Sequence, residues 1–162
     1  MKTVLLMRHA KASPSPPGVA DFDRPLLAEG RIAAALVGEF LKREQFTIDE
    51  AISSPAVRAR ETIESVLLAA GMSLKVHADQ RLYEGGALLL LEVLSEVDDD
   101  VETVLLVGHN PVLEDFMQHL TGESVHLSPA TLTHVDSEAE KWSEIHTAKH
   151  KLRRVVRAKD LE

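Results

Sequence analysis

The chain alternates short apolar runs with longer segments of helical periodicity, and this alternation restricts its fold more than any other feature. The clearest run, residues 103–107, ends in Gly108-His109-Asn110-Pro111 and leads into a segment with helical spacing. Runs at residues 3–7 and 50–53 are also followed by helical segments further along the chain. Strands that alternate with helices predict an α/β three-layer sandwich, with a mostly parallel central sheet flanked by helices.

Helix and turn signals assign the intervening segments. Residues 28–43 predict an amphipathic helix with the apolar positions Ile32, Ala33, Leu36, Val37, Phe40 and Leu41. Ser54 and Pro55 resemble an N-cap and a first helical residue, and they predict a helix that Gly71 ends. Further helices are predicted over residues 87–97 and from residue 112 to about 120, and weaker strands over residues 74–77, 130–135 and 142–147. The basic segment 149–159 shows no clear preference.

The composition argues against several classes of function. The 162 residues fit a single domain spanning residues 1–162. A net charge of −8 opposes broad binding to nucleic acid or to an anionic membrane. The absence of cysteine excludes thiol nucleophiles and thiolate metal sites, and the histidine spacing favours neither a metal nor a cofactor. The N-terminal residues favour a strand over a signal peptide, and no apolar run could span a bilayer, so we expect a cytoplasmic protein.

Four basic side chains lie at or just beyond the predicted strand ends. Arg8 and His9 end the first strand, Arg58 lies on the first turn of the helix after the second, and His109 follows residues 103–107. The carboxyl ends of parallel strands meet at one edge of a sheet, where α/β proteins bind ligands. We therefore expect these two arginines and two histidines to converge there.

Such a group of side chains suits phosphoryl transfer. The transferring group spreads negative charge over its oxygens, so fixed positive charge and positioning carry most of the catalysis. Arginine supplies forked donors that match phosphate oxygens, and a neutral histidine can attack phosphorus with its free lone pair. The residues therefore predict an anion site that can form a phosphohistidine without a metal.

Short motifs occur in a fixed order within residues 1–120. They are Leu6-Met7-Arg8-His9-Ala10-Lys11, Arg24-Pro25-Leu26 with Glu29-Gly30, Ser53-Ser54-Pro55 with Arg58-Ala59 and Thr62, and Val107-Gly108-His109-Asn110-Pro111. Together they resemble the histidine phosphatase superfamily, the phosphoglycerate-mutase-like proteins. Most of that superfamily has glycine after the Arg-His pair. The Ala10-Lys11 variant is similar to the SixA-type phosphohistidine phosphatases, which are also short and lack the substrate-covering insertions.

The resemblance implies roles for these residues. His9 is implied as the nucleophile, with Arg8, Arg58 and His109 binding the phosphoryl group, and the loop over residues 12–24 is implied to border the pocket. Short stretches between the motifs imply an open site, which suits a phosphorylated protein as partner, for example a histidine phosphotransfer domain.

An ester leaving group also needs a proton, which a carboxylic acid usually supplies as the general acid. Arg81-Leu82-Tyr83-Glu84 resembles the segment that carries the acid in the mutases, which nominates Glu84 as a catalytic residue. Glu84 could equally begin a helix, where a negative charge is favourable. Asp21 and Asp23 are weaker candidates, because such residues commonly form loops. The SixA-type branch often does without this acid, and phosphohistidine is a labile phosphoramidate.

Three functions are therefore compared. The first is a protein phosphohistidine phosphatase of the SixA type. The second is a phosphomonoesterase for a small phosphorylated metabolite, such as a sugar phosphate or nucleotide, with Glu84 as its acid. The third, a catalytically silent phosphate-binding module, is disfavoured because the nucleophile His9 is present.

Overall fold

A computed structural model describes residues 1–162 as one mixed sheet with helices on both faces. The strands are β1 (Lys2–Arg8), β2 (Glu50–Ser53), β3 (Val76–Ala78), β4 (Thr103–Gly108), β5 (Thr131–Ser137) and β6 (His150–Arg157). The helices are α1 (Ala28–Arg43), α2 (Val57–Ala69), α3 (Arg81–Glu84), α4 (Ala87–Ser95) and α5 (Val112–Thr121). Short 3₁₀ turns cover Asp21–Asp23, Trp142–Glu144 and Ala158–Leu161.

The sheet has the strand order β3-β2-β4-β1-β5-β6. β1, β2, β3 and β4 run parallel, whereas β5 is antiparallel to β1 and β6 is antiparallel to β5. The prediction of a mostly parallel sheet is therefore confirmed. The carboxyl ends of β1, β2 and β4 lie side by side in the middle of the sheet, which places the segments that follow these strands next to one another.

Two apolar layers cover the sheet, because successive side chains of each strand point to opposite faces. Leu5 and Met7 of β1 pack with the buried residues of α1 and α2. Val4 and Leu6 of the same strand pack with those of α4 and α5. The core is largely aliphatic, and the resulting three-layer sandwich agrees with the predicted fold class.

Helix α1 has the predicted bounds, but its buried face is rotated from the predicted one. Ile32 is 63% exposed, while Ala34 and Gly38 are buried. A Cβ atom at Gly38 would overlap the carbonyl oxygen of Val66 in α2. Because the two helices approach this closely, small residues are favoured at their contact, and the larger Ile32 lies outside it.

Several predicted boundaries differ from those observed. Helix α2 begins at Val57 after Ala56, so Ser54 and Pro55 precede the helix and do not form its first turn. The predicted strand over residues 142–147 is wrong. The Trp142 side chain is fully buried there, its ring nitrogen donates to the carbonyl of Val101 at 2.8 Å, and the backbone forms a 3₁₀ turn.

The C-terminal basic segment forms the edge strand β6, followed by a 3₁₀ turn. None of the helices combines the length and the apolarity needed to span a membrane.

Candidate active site

The four predicted basic residues converge at the carboxyl edge of the sheet. Arg8 ends β1 and His9 follows it, His109 follows β4, and Arg58 is the second residue of α2. The backbone N–H of His9 donates to the carbonyl of Gly108 at 3.1 Å, which extends the β1–β4 pairing into the site. These residues line a cavity of about 350 Å³, whose other lining residues are Lys11, Ala12, Arg24, Asn110 and Pro129.

The His9 ring is held in one tautomer. Its Nδ1 lies 2.7 Å from the carbonyl oxygen of Ala10, which can only accept, so the ring hydrogen is on Nδ1. Nε2 therefore carries a lone pair, and the Nε–H of Arg58 donates to it at 3.3 Å. Burial, together with the nearby cations Arg58, Arg8 and Arg24, lowers the pKa of His9 to about 4, although the hydrogen bond to Ala10 opposes this shift. His9 is therefore neutral at pH 7, as a nitrogen nucleophile must be.

The Ala10 carbonyl is itself anchored. The backbone N–H of Ala10 donates to the hydroxyl of Thr62 at 3.0 Å, and that hydroxyl donates to the carbonyl of Arg58 at 2.7 Å. Thr62 and Ala10 are both fully buried. One threonine on α2 therefore connects the segment that orients His9 to the helical turn that carries Arg58.

The Arg58 side chain is buried and oriented by Asp21. Its two terminal nitrogens donate to the backbone carbonyl of Asp21 at 2.8 Å and to the Asp21 carboxylate at 3.0 Å. Nε is directed at His9. The guanidinium is thus fixed along one side by the loop over residues 12–24, and its Nε–H faces Nε2 of His9.

Arg8 is positioned from the opposite side of the cavity. One terminal nitrogen of Arg8 donates to the carbonyl of Leu127 at 3.0 Å, and the side-chain amide of Asn110 donates to the same carbonyl at 2.7 Å. The N–H of Leu127 in turn donates to the Glu114 carboxylate at 2.7 Å. The buried Nε of Arg8 has no partner, which leaves a donor available for an anion. Burial lowers the pKa of Arg8, and Glu114 opposes this.

His109 is the second imidazole of the site. Its ring centre lies 5.1 Å from that of His9, and its Nε2 forms a 2.7 Å hydrogen bond with the Ser54 hydroxyl. The Ser54 oxygen also accepts the N–H of Ala56 at 3.2 Å, which favours donation of the hydroxyl hydrogen to Nε2. The His109 hydrogen then lies on Nδ1, which is buried without a partner. Burial, together with the nearby His9 and Arg58, lowers the pKa of His109 to about 3.

Asp21 was a weak candidate for the general acid, and the structure places it differently. Its carboxylate accepts hydrogen bonds from Tyr83 at 2.9 Å, from Arg24 at 3.0 Å and from Arg58 at 3.0 Å. Burial would raise its pKa, but these three bonds together lower it to about 2. Asp21 is therefore ionised and acts as a bridge between two arginines and a tyrosine. Asp23 is exposed beside it.

Glu84 lies at the end of α3, is exposed, and is not among the residues that line the cavity. The neighbouring Tyr83 lies closer to the site. Its ring packs edge-on against His109 at 5.7 Å and against Phe22 at 5.1 Å. This role of Tyr83 was not predicted from the sequence, although Tyr83 is the only tyrosine of the chain and directly precedes the nominated acid Glu84.

Comparison with known proteins agrees with this fold. Residues 4–88 match the profile of the histidine phosphatase superfamily (branch 1). An uncharacterised protein of Mycobacterium tuberculosis is 39% identical over 105 residues, and this match covers 65% of the present chain and 63% of the relative. The chain therefore spans less than two thirds of that relative's length.

Two further relatives cover more of the chain. A Haemophilus influenzae protein, named as a homologue of the phosphohistidine phosphatase SixA, is 31% identical over 144 residues, covering 80% of this chain and 84% of the relative. The structure of a candidate SixA phosphohistidine phosphatase from Nakamurella multipartitia superposes with a TM-score of 0.84 at 28% identity, covering 96% of this chain and 95% of the other. The fold is thus the phosphoglycerate mutase-like one, and the chain belongs to the histidine phosphatase superfamily.

Proposed function

We propose that this protein is a metal-independent phosphatase of the SixA type that removes the phosphoryl group from phosphohistidine in a protein substrate. One observation carries the proposal. The Nδ1 hydrogen of His9 is bonded to Ala10, and its Nε2 lone pair lies beside Arg58 in an open, cationic cavity. In the proposal His9 is the nucleophile, and Arg8, Arg58 and His109 bind the transferring phosphoryl group.

In the first step, the Nε2 lone pair of His9 attacks phosphorus and the bond from phosphorus to the substrate nitrogen breaks. Negative charge on the phosphoryl oxygens is stabilised by the Nε–H groups of Arg8 and Arg58 and by the Nδ1–H of His109. All three donors are already fixed by protein contacts before substrate binds, so little reorganisation is needed.

The leaving group explains why a phosphohistidine substrate suits this site. An imidazole that is phosphorylated on one nitrogen and protonated on the other departs as neutral imidazole, so no proton is needed at the bond that breaks. An alkoxide leaving group would need a carboxylic acid to protonate it. No carboxyl group lines the cavity, and the nearby Asp21 is ionised. These features support a phosphoramidate substrate over a phosphate ester.

The second step follows the same chemistry. Water attacks phosphorus on phospho-His9 and phosphate is released. The His9 ring retains its Nδ1 hydrogen, bonded to Ala10, and therefore also departs as a neutral imidazole. A single backbone carbonyl thus supports both formation and hydrolysis of the intermediate, and the enzyme returns to its starting protonation state.

A direct test compares two kinds of substrate in excess chelator. One is a phosphohistidine-containing phosphotransfer protein, and the other is a panel of sugar phosphates and nucleotides. We expect rapid loss of phosphohistidine and slow ester hydrolysis. Efficient hydrolysis of one ester would instead support a metabolite phosphatase, and activity that requires added metal would contradict the proposed site.

The covalent step has its own test. Rapid quenching with labelled substrate should trap a base-stable, acid-labile phosphoryl group on His9. His9→Gln should abolish both the label and turnover, whereas His126→Gln, a change of an exposed histidine outside the cavity lining, should retain them. Substantial turnover by the His9 variant would exclude the covalent mechanism.

A further inference from the structure

The cavity extends beyond the four residues of the proposed phosphoryl site. Arg8, His9, Arg58 and His109 form one part of the 350 Å³ cavity, and the remaining lining residues are Lys11, Ala12, Arg24, Asn110 and Pro129. Two of these five are cations and none is a carboxylate. The chain as a whole carries a net charge of −8, so the positive charge of this lining is opposite in sign to the net charge of the protein.

Lys11 has a fixed backbone and an exposed side-chain end. Its carbonyl accepts the N–H of Leu27 at 3.0 Å, and it approaches Gly30 so closely that a Cβ atom there would overlap it. Its ammonium group lies 3.2 Å from the Glu29 carboxylate, but the two side chains are 61% and 63% exposed. Such exposed ion pairs are weak and rearrange easily, so the ammonium group can turn toward an incoming anion.

Arg24 is the complementary fixed cation. Its side chain is only 22% exposed, and its guanidinium donates to the carbonyl of Ser13 at 2.8 Å and to the Asp21 carboxylate. Asp21 also binds Arg58, so a single carboxylate is shared between two arginines. The two cations beyond the phosphoryl site therefore have only Asp21 and Glu29 as counter-charges, and neither carboxylate lines the cavity.

We propose that Lys11 and Arg24 form an anion subsite that binds carboxylate side chains flanking the phosphohistidine of an acidic polypeptide substrate. The proposal rests on the proposed function and adds a preference for the substrate's sequence. An exposed lysine at the rim of an open cavity matches a polypeptide that passes across the surface.

The test uses two phosphohistidine peptides that differ only in their flanking residues, glutamate in one and alanine in the other. We expect the wild-type protein to prefer the glutamate peptide by about fivefold in kcat/KM at low salt, the upper range for an exposed charge pair. The preference should shrink as salt is added. Lys11→Gln should reduce it to about twofold or less.

Lys75→Gln is the matched control. Lys75 is also an exposed lysine, but it precedes β3 and so lies at the amino end of the parallel strands, opposite the site. It should retain both the wild-type activity and the wild-type preference. Lys11→Glu should reverse the preference toward a peptide with lysine flanks, an effect that general damage to the fold would not produce.

The outcomes separate the subsite from the proposed function. Equal hydrolysis of both peptides by the wild-type protein, or a preference that Lys11→Gln leaves intact, would overturn the subsite alone. No hydrolysis of any phosphohistidine peptide would overturn the proposed function and the subsite with it. A Lys11-dependent preference for a sugar bisphosphate over its monophosphate, without a preference among peptides, would overturn the assignment to a polypeptide.

Discussion

The Ser54 hydroxyl and His109 Nε2 lie 2.7 Å apart, and this contact joins a fully buried serine after β2 to the imidazole that follows β4. If Ser54 donates, the ring hydrogen of His109 lies on Nδ1 and that nitrogen is the donor to the phosphoryl group. Ser54 is then a positioning residue, which acts through His109 without touching the substrate.

Ser54→Ala should lower kcat/KM by about fivefold, the effect of losing one net hydrogen bond. The loss should be mainly in kcat, because the donor would be misplaced in the transition state. The pH dependence should also change, since His109 loses its tautomer preference. Kinetics across pH provide the measurement.

Ser53→Ala is the matched control for that change. Ser53 is equally buried, but its hydroxyl donates to the backbone carbonyl of Ser54 at 2.8 Å. If both variants lose activity equally, with no change in pH dependence, the effect of Ser54 is structural and not exerted on His109.

Asp21→Asn should reduce activity by about tenfold, because the negative charge that pairs with Arg58 and Arg24 is removed and one of the two acceptor oxygens is replaced by a donor. Without the Asp21 carboxylate to orient it, Arg58 would bind the phosphoryl group less well in both the ground state and the transition state. Tyr83→Phe removes only one neutral donor from the same carboxylate and should have a smaller effect. Steady-state kinetics of both variants test this order, and a larger loss for Tyr83→Phe would contradict it.

Glu84→Gln should leave phosphohistidine hydrolysis within about threefold of wild type, because the exposed Glu84 side chain does not line the cavity and the leaving imidazole needs no acid there. The same variant should be assayed against phosphate esters. A loss of about a hundredfold in ester hydrolysis, with efficient ester turnover in wild type, would identify Glu84 as a general acid and favour the metabolite phosphatase.

The imidazoles of His9 and His109 should titrate well below the usual histidine range. Their pKa values are about 4 and about 3, lowered mainly by burial. Because only neutral His9 can attack phosphorus, kcat/KM should fall as the pH decreases through about 4. Bound phosphate should raise both pKa values, since an anion favours the protonated ring.

Side-chain NMR titration with and without phosphate provides that measurement. Spectra of the His9→Gln and His109→Gln variants would assign the two signals. Midpoints near 6.5 in the free protein would show that the two rings are not desolvated as the structure indicates.

Much of the fold, and the basic residues of the site, could be predicted from local sequence. The strands β1, β2 and β4 and the bounds of α1 were predicted because apolar periodicity is a property of neighbouring residues. The arginines and histidines at the strand ends could be nominated for the same reason, since parallel strands bring their carboxyl ends to one edge. The exposed position of Ile32 could not be predicted, because it depends on how closely α2 approaches α1.

Only the tertiary structure decided which side chains form hydrogen bonds with the basic residues of the site. Asp21 binds Arg58, 37 positions along the chain, and Tyr83, 62 positions along it. No local sequence pattern predicts such contacts, because each depends on how distant segments of the chain pack together at the carboxyl edge of the sheet. The antiparallel strands β5 and β6 also depend on long-range contacts, because β5 pairs with β1 from the other end of the chain and β6 pairs with β5. The sequence by itself determined the strand–helix order and the motif residues that converge, whereas long-range packing decided the orientation of Arg58, the role of Asp21 and the exclusion of Glu84 from the cavity.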